Sequence, residues 1–278
     1  MIPLIDLDSL LYYSVYRIVS IQQMKELLSI NYDSIPYSDR KRLAFDYIID
    51  TAIDRMGNKL LKVYDAIENT GIKLDIPELY ITHCKDSIRK NISVDYKAKR
   101  KRNKWVSEIR QRLINEGNVI WDNQYEADDL IADRAKELNE QGKEYIIVSI
   151  DKDLKQIPGW HFSYYPMEVF DSDGNKYSQM KGLSHVTPYD SWKMLAYQVI
   201  AGDHGDGIKG IPGLGEAKTL PLIQHCKTYH DFLRAVTKAY VCYEWNIKEK
   251  MEKKGKQSDY VWRDELFKNF RLVYLGRT

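Results

Sequence analysis

Ten carboxylates stand where a chain would begin or end regular structure: Asp6 and Asp8, Asp86, Glu126, Asp128 and Asp129, Asp151 and Asp153, and Asp203 and Asp206. Most of them follow a β-rich run or open a helix-like one. In open α/β sheets, ligands gather beyond the carboxyl ends of the strands, so a fold that respects this placement brings the acids toward one sheet edge. Carboxylates crowded there repel one another severely unless cations sit between them. All-oxygen donors suit hard ions such as Mg2+ or Mn2+. A site of this size fits two ions ~3.5–4 Å apart, the pair that clamps the attacking and leaving oxygens of an in-line phosphoryl displacement. A phosphodiester is its natural substrate. Each cluster alone also has a plainer reading: acids favour the positive end of a helix dipole at Glu126–Asp129, and residues 151–153 and 203–206 read equally as surface turns.

Between the acids runs a strand, helix, strand rhythm. Ile2 to Leu7 reads as a strand that passes into the apolar segment Leu10 to Met24, where Tyr12, Tyr13 and Tyr16 are expected in the core. From Arg40 to Ile67 apolar residues recur at helical spacing, with Gly71 as a stop. Glu78 to Cys84, Val119 to Trp121 and Glu144 to Ile150 are β-rich, and Asp171-Ser-Asp-Gly174 reads as the turn of a hairpin between Trp160 and Tyr177. Tyr125 to Asp129 opens a helix with Ala127, Leu130, Ile131, Ala135 and Leu138 on its buried face. Thr187-Pro188 is a cap and first-turn pair for a helical region that the Gly-rich segment 202–215 interrupts. The expected fold is therefore α/β, with a mostly parallel central sheet flanked by helices. A length of 278 residues suffices for one large or two modest domains, and no linker separates the parts.

The net charge of +2 conceals two opposed populations, since residues 85–112 carry +8 and the remainder −6. Six of the eight positions from Lys97 to Lys104 are basic. Such a run is either a solvated face or the footprint of a polyanion, whose affinity would come from counter-ion release. Gly210-Ile-Pro-Gly-Leu-Gly215, with Lys218 after it, is a tight turn whose glycines let backbone N–H groups approach a phosphate closely. The histidines have no partner at ligand spacing, and Cys84, Cys226 and Cys242 form no close pair, which argues against zinc and disulfide frameworks. No apolar run approaches the ~18 residues of a membrane span, and Met1-Ile-Pro-Leu-Ile-Asp6 lacks a basic leader. The expectation is a cytoplasmic chain that begins at Met1 and has no membrane partner.

Taken in order, these segments resemble the flap endonuclease and 5′-3′ exonuclease superfamily, especially its small bacteriophage and bacterial members. The resemblance rests on Ile5-Asp6, Asp86 with Arg89 nearby, Tyr96-Lys-Ala-Lys-Arg100, Tyr125-Glu-Ala-Asp-Asp129, Ser149-Ile-Asp-Lys-Asp153, and Gly202-Asp-His-Gly-Asp206 through Gly215. It implies a PIN-like nuclease domain over residues 1–186 with a basic helical arch at about 86–118, and a helical DNA-binding region over 187–278 with a helix-three-turn-helix at about 200–225, packed as one body. By the same resemblance Asp6, Asp86, Glu126 and Asp128 fall where the family binds its first metal, and Asp129, Asp151, Asp153, Asp203 and Asp206 around the second. Lys97 and Arg100 match the basic pair that steadies charge on the scissile phosphate. Tyr96 is placed to stack on a terminal base or to pack against the arch. Arg89, Lys99, Lys101, Arg102 and Lys104 are expected on DNA, while Gly210, Gly213, Gly215 and Lys218 match the turn that holds duplex DNA, often with K+.

The implied activity is two-metal hydrolysis of DNA, or of RNA paired to DNA, at 5′ ends or 5′ flaps in replication or repair, by a monomer that works beside replication proteins. Some features depart from the family. Leu7 and Asp8 stand where it has Gly, so Asp8 reads as an additional ligand or a cap; one extra residue separates Gly215 from Lys218, and Pro221 falls early in the next helix. From Tyr229 to Thr278 no motif is readable, and Lys248 to Lys256 reads as a solvated face or a DNA contact. Two rivals stay open: a PIN-type single-strand ribonuclease, which lacks the arch and the duplex turn, and a catalytically silent DNA-binding protein, which would have lost several of the acids.

Overall fold

Strand β1 (Ile2–Asp6) lies inside a five-stranded sheet of order β2-β1-β3-β4-β5, with β2 (Glu78–Tyr80), β3 (Tyr145–Val148), β4 (Gly159–Phe170) and β5 (Lys176–Val186). The computed structural model describes residues 1–15, 34–84, 87–100, 103–170 and 176–276. Within this sheet the pairs β1·β2, β1·β3 and β3·β4 are parallel and β4·β5 is antiparallel. The mostly parallel sheet and the β4–β5 hairpin match expectation, although the expected turn at 171–174 falls outside the described residues. Parallel strands covered on both faces read as unbroken apolar runs, and Tyr145–Val148 is buried throughout. With Ile5 opposite Leu79 on one side and Val148 on the other, the carboxyl end of β1 opens between the ends of two neighbours.

Two β-rich runs are shorter than the sequence implies, and one makes no strand. Pairing from Glu78 ends at Tyr80, and that from Glu144 is confined to Tyr145–Val148. Val119–Trp121 contributes a single bridge, Ile120 to Tyr80, because Ile120 and Trp121 are partly exposed and lack the two-sided burial of the inner strands.

The described helices are α1 (Leu7–Val15), α2 (Tyr37–Glu68), α3 (Ile88–Ile92), α4 (Lys104–Asn115), α5 (Ala127–Glu140), α6 (Pro188–Ala201), α7 (Glu216–Ile223), α8 (Tyr229–Glu252) and α9 (Trp262–Val273). Successive side chains of a strand point to opposite faces. Accordingly Ile5, Ile146 and Val148 join a core with α1, α2 and α4, while Leu4 and Ile147 join one with α5. A third core gathers α6, α7, α8 and α9, and includes Tyr96 and, at its margin, Ile92. Ile92 and Tyr96 thus pack with the C-terminal helices, although they lie in the N-terminal half of the sequence.

Helix α1 buries Leu7, Leu10, Leu11 and Ser14. Tyr12 and Tyr13, expected in the core, are instead each 48% exposed, because the helix rests on the sheet by one face only; Tyr16 lies outside the described residues. The expected arch is seated on the core along α4, whose start Asn103 caps by accepting from Trp105 N at 2.9 Å and whose Val106, Ile109 and Leu113 are buried. On α8, Lys248 and Lys253 pair with Glu244 and Glu249 one turn away, the pattern of a solvated face. Among the described residues no helix is long and apolar enough to cross a membrane.

If α4 is a docked part of the core, Ile109→Ala costs about 2–5 kcal/mol. Urea unfolding measures it; a loss below about 1 kcal/mol would mean that α4 stands free of the sheet.

Candidate active site

A cleft of about 490 Å3 opens at the carboxyl end of β1, with Asp6, Asp8, Glu126, Asp128 and Asp151 on its walls beside Lys90, Lys97, Arg100 and Arg110. Asp6 is fixed from three sides: it accepts from Ser149 Oγ at 2.7 Å, Ser9 Oγ at 3.0 Å and the Asp8 backbone N at 3.0 Å. Ser9 is itself held at 2.5 Å by the hydroxyl of buried Tyr164. Burial, and then the charges of Asp8 and Asp151, push the Asp6 carboxyl from 3.8 up to about 7, against the pull of the two serines. Asp8 has its own cation. Arg110 on α4 reaches its Oδ1 through Nε at 3.1 Å and Nη2 at 2.7 Å, and Thr82 N approaches it as well. Asp8 therefore ties α1 to α4 and to the end of β2.

The start of α5 is a reciprocal cap: the Glu126 side chain accepts from the backbone of Asp129, and Asp129 accepts from Glu126 N at 3.2 Å. Neighbouring cations divide these acids. Arg89 forks onto both oxygens of Asp129, at 2.5 and 2.8 Å, and reaches Glu126 at 3.5 Å. Lys97 Nζ lies 2.5 Å from Glu126, which also accepts from Tyr96 OH at 2.9 Å. Burial works to raise the Glu126 carboxyl, but Lys97 and Arg89 outweigh it and hold it below the usual range. Asp128 lies farther from Arg89, at 3.7 Å, and burial together with the Asp129 charge holds it well above that range.

Asp128 also faces a second, narrow gap that Asp153, Asp203 and Asp206 line. Asp153 opens a 3-10 turn (Asp153–Gln156) and accepts from Gln198 Nε2 at 2.7 Å. Burial, Asp151 and Asp203 push its carboxyl to about 7. Asp203 is buried too, yet Lys152 at 2.9 Å keeps it below the usual range. Asp206 is bound by Arg100 and lies 3.5 Å from Lys97. The acids thus form two groups that meet at Asp128: Asp6, Glu126 and Asp151 on the cleft, and Asp153, Asp203 and Asp206 on the gap. Asp151, expected with the second group, lines the first cleft.

Several expected roles change. Arg89 is 6% exposed and Tyr96 3%, so neither offers a surface to DNA: Arg89 is consumed by Asp129 and Glu126, and the Tyr96 ring packs among the C-terminal helices. Asp129 has both oxygens occupied by Arg89, which sets it apart from the other acids. A Cβ on Gly210 would lie 2.1 Å from the carbonyl carbon of Ala201, so that glycine serves a close backbone approach, whereas Gly213, Gly215 and Lys218 are exposed. Lys99 and Lys104 are exposed; Asp86, Lys101 and Arg102 lie outside the described residues. Sequence reasoning assigned no role to Ser9, Arg110, Lys152 or Gln198. Ser149 stood inside a recognised segment, but hydroxyls and amides leave no periodic trace.

Among the described residues no three His, Cys, Asp or Glu side chains are drawn together closely enough to hold a metal ion as they stand. The chemistry of the donors nevertheless fits hard cations, for they are oxygens, and Asp6, Asp128 and Asp153 are raised by burial and by the charges of other acids beside them. A divalent cation relieves that strain.

The flap endonuclease Xni of Shewanella frigidimarina is 29% identical over 170 residues, spanning 56% of this chain and 64% of that protein. For the Xni of Shewanella sediminis the figures are 30% over 149 residues, 50% and 54%. The chain therefore matches less than two thirds of the length of either relative. No family model matches. A crystal structure of the T5 D15 protein co-crystallized with metal ions superposes with a TM-score of 0.51 at 15% identity, covering 98% of this chain and 88% of that one. In sequence and in fold the chain resembles the flap endonuclease and 5′-3′ exonuclease superfamily. The resemblance carried by the ordered motifs is thereby borne out, and the α/β architecture with it.

Two measurements probe the charge balance. Arg89→Met leaves Asp129 buried and unpaired, and is expected to cost about 3–5 kcal/mol in urea unfolding; a loss below about 1 kcal/mol contradicts the pairing. Asp6 has a folded value raised above its unfolded one, so its contribution to stability is full below about pH 4 and is lost as pH rises through about 7. In EDTA, Asp6→Asn should therefore gain on the parent between about pH 4 and pH 8. A constant difference across that range excludes the raised carboxyl.

Proposed function

We propose that the chain is a structure-specific 5′ nuclease that hydrolyses phosphodiesters of DNA, or of RNA paired to DNA, at 5′ ends or 5′ flaps during replication or repair. One observation carries this reading: the cleft that holds Asp6, Glu126, Asp128 and Asp151 also holds Lys97 and Arg100. Acids for cations and donors for a phosphate share one cleft. Asp6, Asp86, Glu126, Asp128 and Asp151 are the proposed ligands of one divalent cation, Mg2+ or Mn2+, and Asp128, Asp153, Asp203 and Asp206 those of a second. When bound, such a pair stabilises the attacking and leaving oxygens of an in-line displacement. Asp129 is left out of the ligand set because Arg89 takes both of its oxygens.

Ser9 and Ser149 hold Asp6 in one orientation, as outer partners do for a metal-ligating carboxylate. Lys97 and Arg100, the internal counter-ions of Glu126 and Asp206, are the proposed donors to the non-bridging oxygens of the scissile phosphate. Lys99, Lys101, Arg102 and Lys104 supply contacts to the backbone of the strand, and Gly213, Gly215 and Lys218 hold the duplex, with K+ as the expected ion of that turn. In this reading residues 1–186 carry most of the chemistry, while 187–278 add Asp203 and Asp206 to it and supply the duplex grip, in a monomer that acts in the cytoplasm of a bacterial cell or phage-infected host beside other replication proteins.

The test uses a 5′-labelled flapped DNA, a blunt duplex and a single-stranded RNA, each with Mg2+ or EDTA. Cleavage of the flapped DNA in Mg2+ alone is expected, with Asp128→Asn and Asp151→Asn abolishing it while DNA affinity is kept. Turnover retained in either variant, or cleavage confined to the RNA, overturns the reading.

A further inference from the structure

The end of α9 and the segment that follows it are bonded to the supports of both groups of acids. Tyr274 O accepts from Arg89 Nη2 at 3.0 Å, and Gly276 N donates to Asp129 Oδ1 at 3.2 Å. Through Arg89 and Asp129 these contacts reach the start of α5, where Glu126 and Asp128 stand. On the other side Gln156 Nε2 donates to Val273 O at 2.8 Å, and Gln156 Oε1 accepts from Leu275 N at 3.4 Å. The same amide donates to Gln198 Oε1 at 2.5 Å, and Gln198 Nε2 donates to Asp153 at 2.7 Å. Gln198 is 2% exposed, so this path runs through the interior. Leu275 is anchored in the core beneath α5, while Leu272 and Val273 belong to the core of the C-terminal helices. The four residues therefore pass from one core to the other, bonded at each end to the support of a different carboxylate group.

We propose that Val273–Gly276 is a positioning strap that sets the distance between the Glu126–Asp128 group and the Asp153 group, and with it the affinity for the second divalent cation. The inference rests on the two-cation reading above. No residue of the strap reaches a cation; it acts through Arg89–Asp129 on one side and Gln156–Gln198 on the other. Gln156 keeps its donors and acceptors matched only while the strap is seated, and Gln198 is held by Gln156 in turn. Removing partners that orient ligands typically lowers metal affinity about 10–100-fold.

Full-length Gln156→Met and Leu275→Ala are compared with the parent by Mn2+ titration followed by electron paramagnetic resonance, by DNA affinity in EDTA, and by thermal melting. At a temperature where all remain folded, both variants are expected to weaken the second Mn2+ about tenfold or more, with DNA affinity within about twofold. Unchanged Mn2+ binding in both overturns the strap. Should Gln156→Met fail to fold, Gln198→Met, which cuts the same path one contact further on, decides by the same criterion. A parent that binds two Mn2+ yet leaves flapped DNA intact defeats the nuclease reading alone, and weakened binding in the variants then still upholds the strap. A parent that binds none overturns both.

Discussion

A carboxylate withdrawn from water must find a positive partner or give up its charge, and the chain buries several within a few residues of one another. Arg89 answers the heaviest part of this demand. Its planar fork matches a carboxylate in two hydrogen bonds at once, which an ammonium cannot do, and Asp129 receives both. With Glu126 at 3.5 Å and the carbonyl of Tyr274 at 3.0 Å, one guanidinium joins α3, the start of α5 and the segment after α9. Burial alone would lower the guanidinium's proton affinity, but the surrounding acids raise it further, so the ion pair is retained.

Compensation is uneven. Asp8 and Asp129 have Arg110 and Arg89, which tie elements together, and Asp203 has Lys152. Asp6 and Asp153 have only serines or an amide, and both are pushed to about 7. A fold selected for stability alone would have replaced such groups by apolar ones, since burying an unpaired charge is among the costliest substitutions available. Both lie near the carboxyl ends of parallel strands, where open α/β sheets gather ligands, and in the proposed reading divalent cations compensate them.

Local patterns in the sequence reported local structure faithfully. Helix α2 followed the 3.6-residue recurrence, α6 began at its Thr187 cap, and the inner strands appeared as apolar runs because both of their faces are covered. What failed depended on burial. Arg89 looked like one more cation in a basic stretch, although its charge points inward. Tyr12 and Tyr13 sit in a short helix whose apolar residues are spread widely around it, where periodicity cannot say which face meets the sheet. Gln156 and Gln198 carry no charge and follow no spacing, so nothing but the folded path reveals that they connect Val273 with Asp153.

The turn that carries Lys97 and Arg100 shows why position along the chain is a poor guide to mechanical connection. Lys97 has φ 51°, a left-handed conformation that a side-chain-bearing residue adopts only when its surroundings impose it. The surroundings here are residues 206 and 207: Lys97 N donates to Asp206 O at 2.7 Å, and Asp95 O approaches so closely that a Cβ on Gly207 would lie 2.4 Å away. Gly207, itself at φ 74°, permits both the turn and the approach. The loop bearing Asp203 and Asp206 therefore shapes the backbone that aims the basic pair, and the glycine-rich turn from Gly210 begins three residues further on. The proposed phosphate donors are thus joined to the chain that leads into the proposed duplex grip by one hydrogen bond and one tight backbone contact at residues 206 and 207.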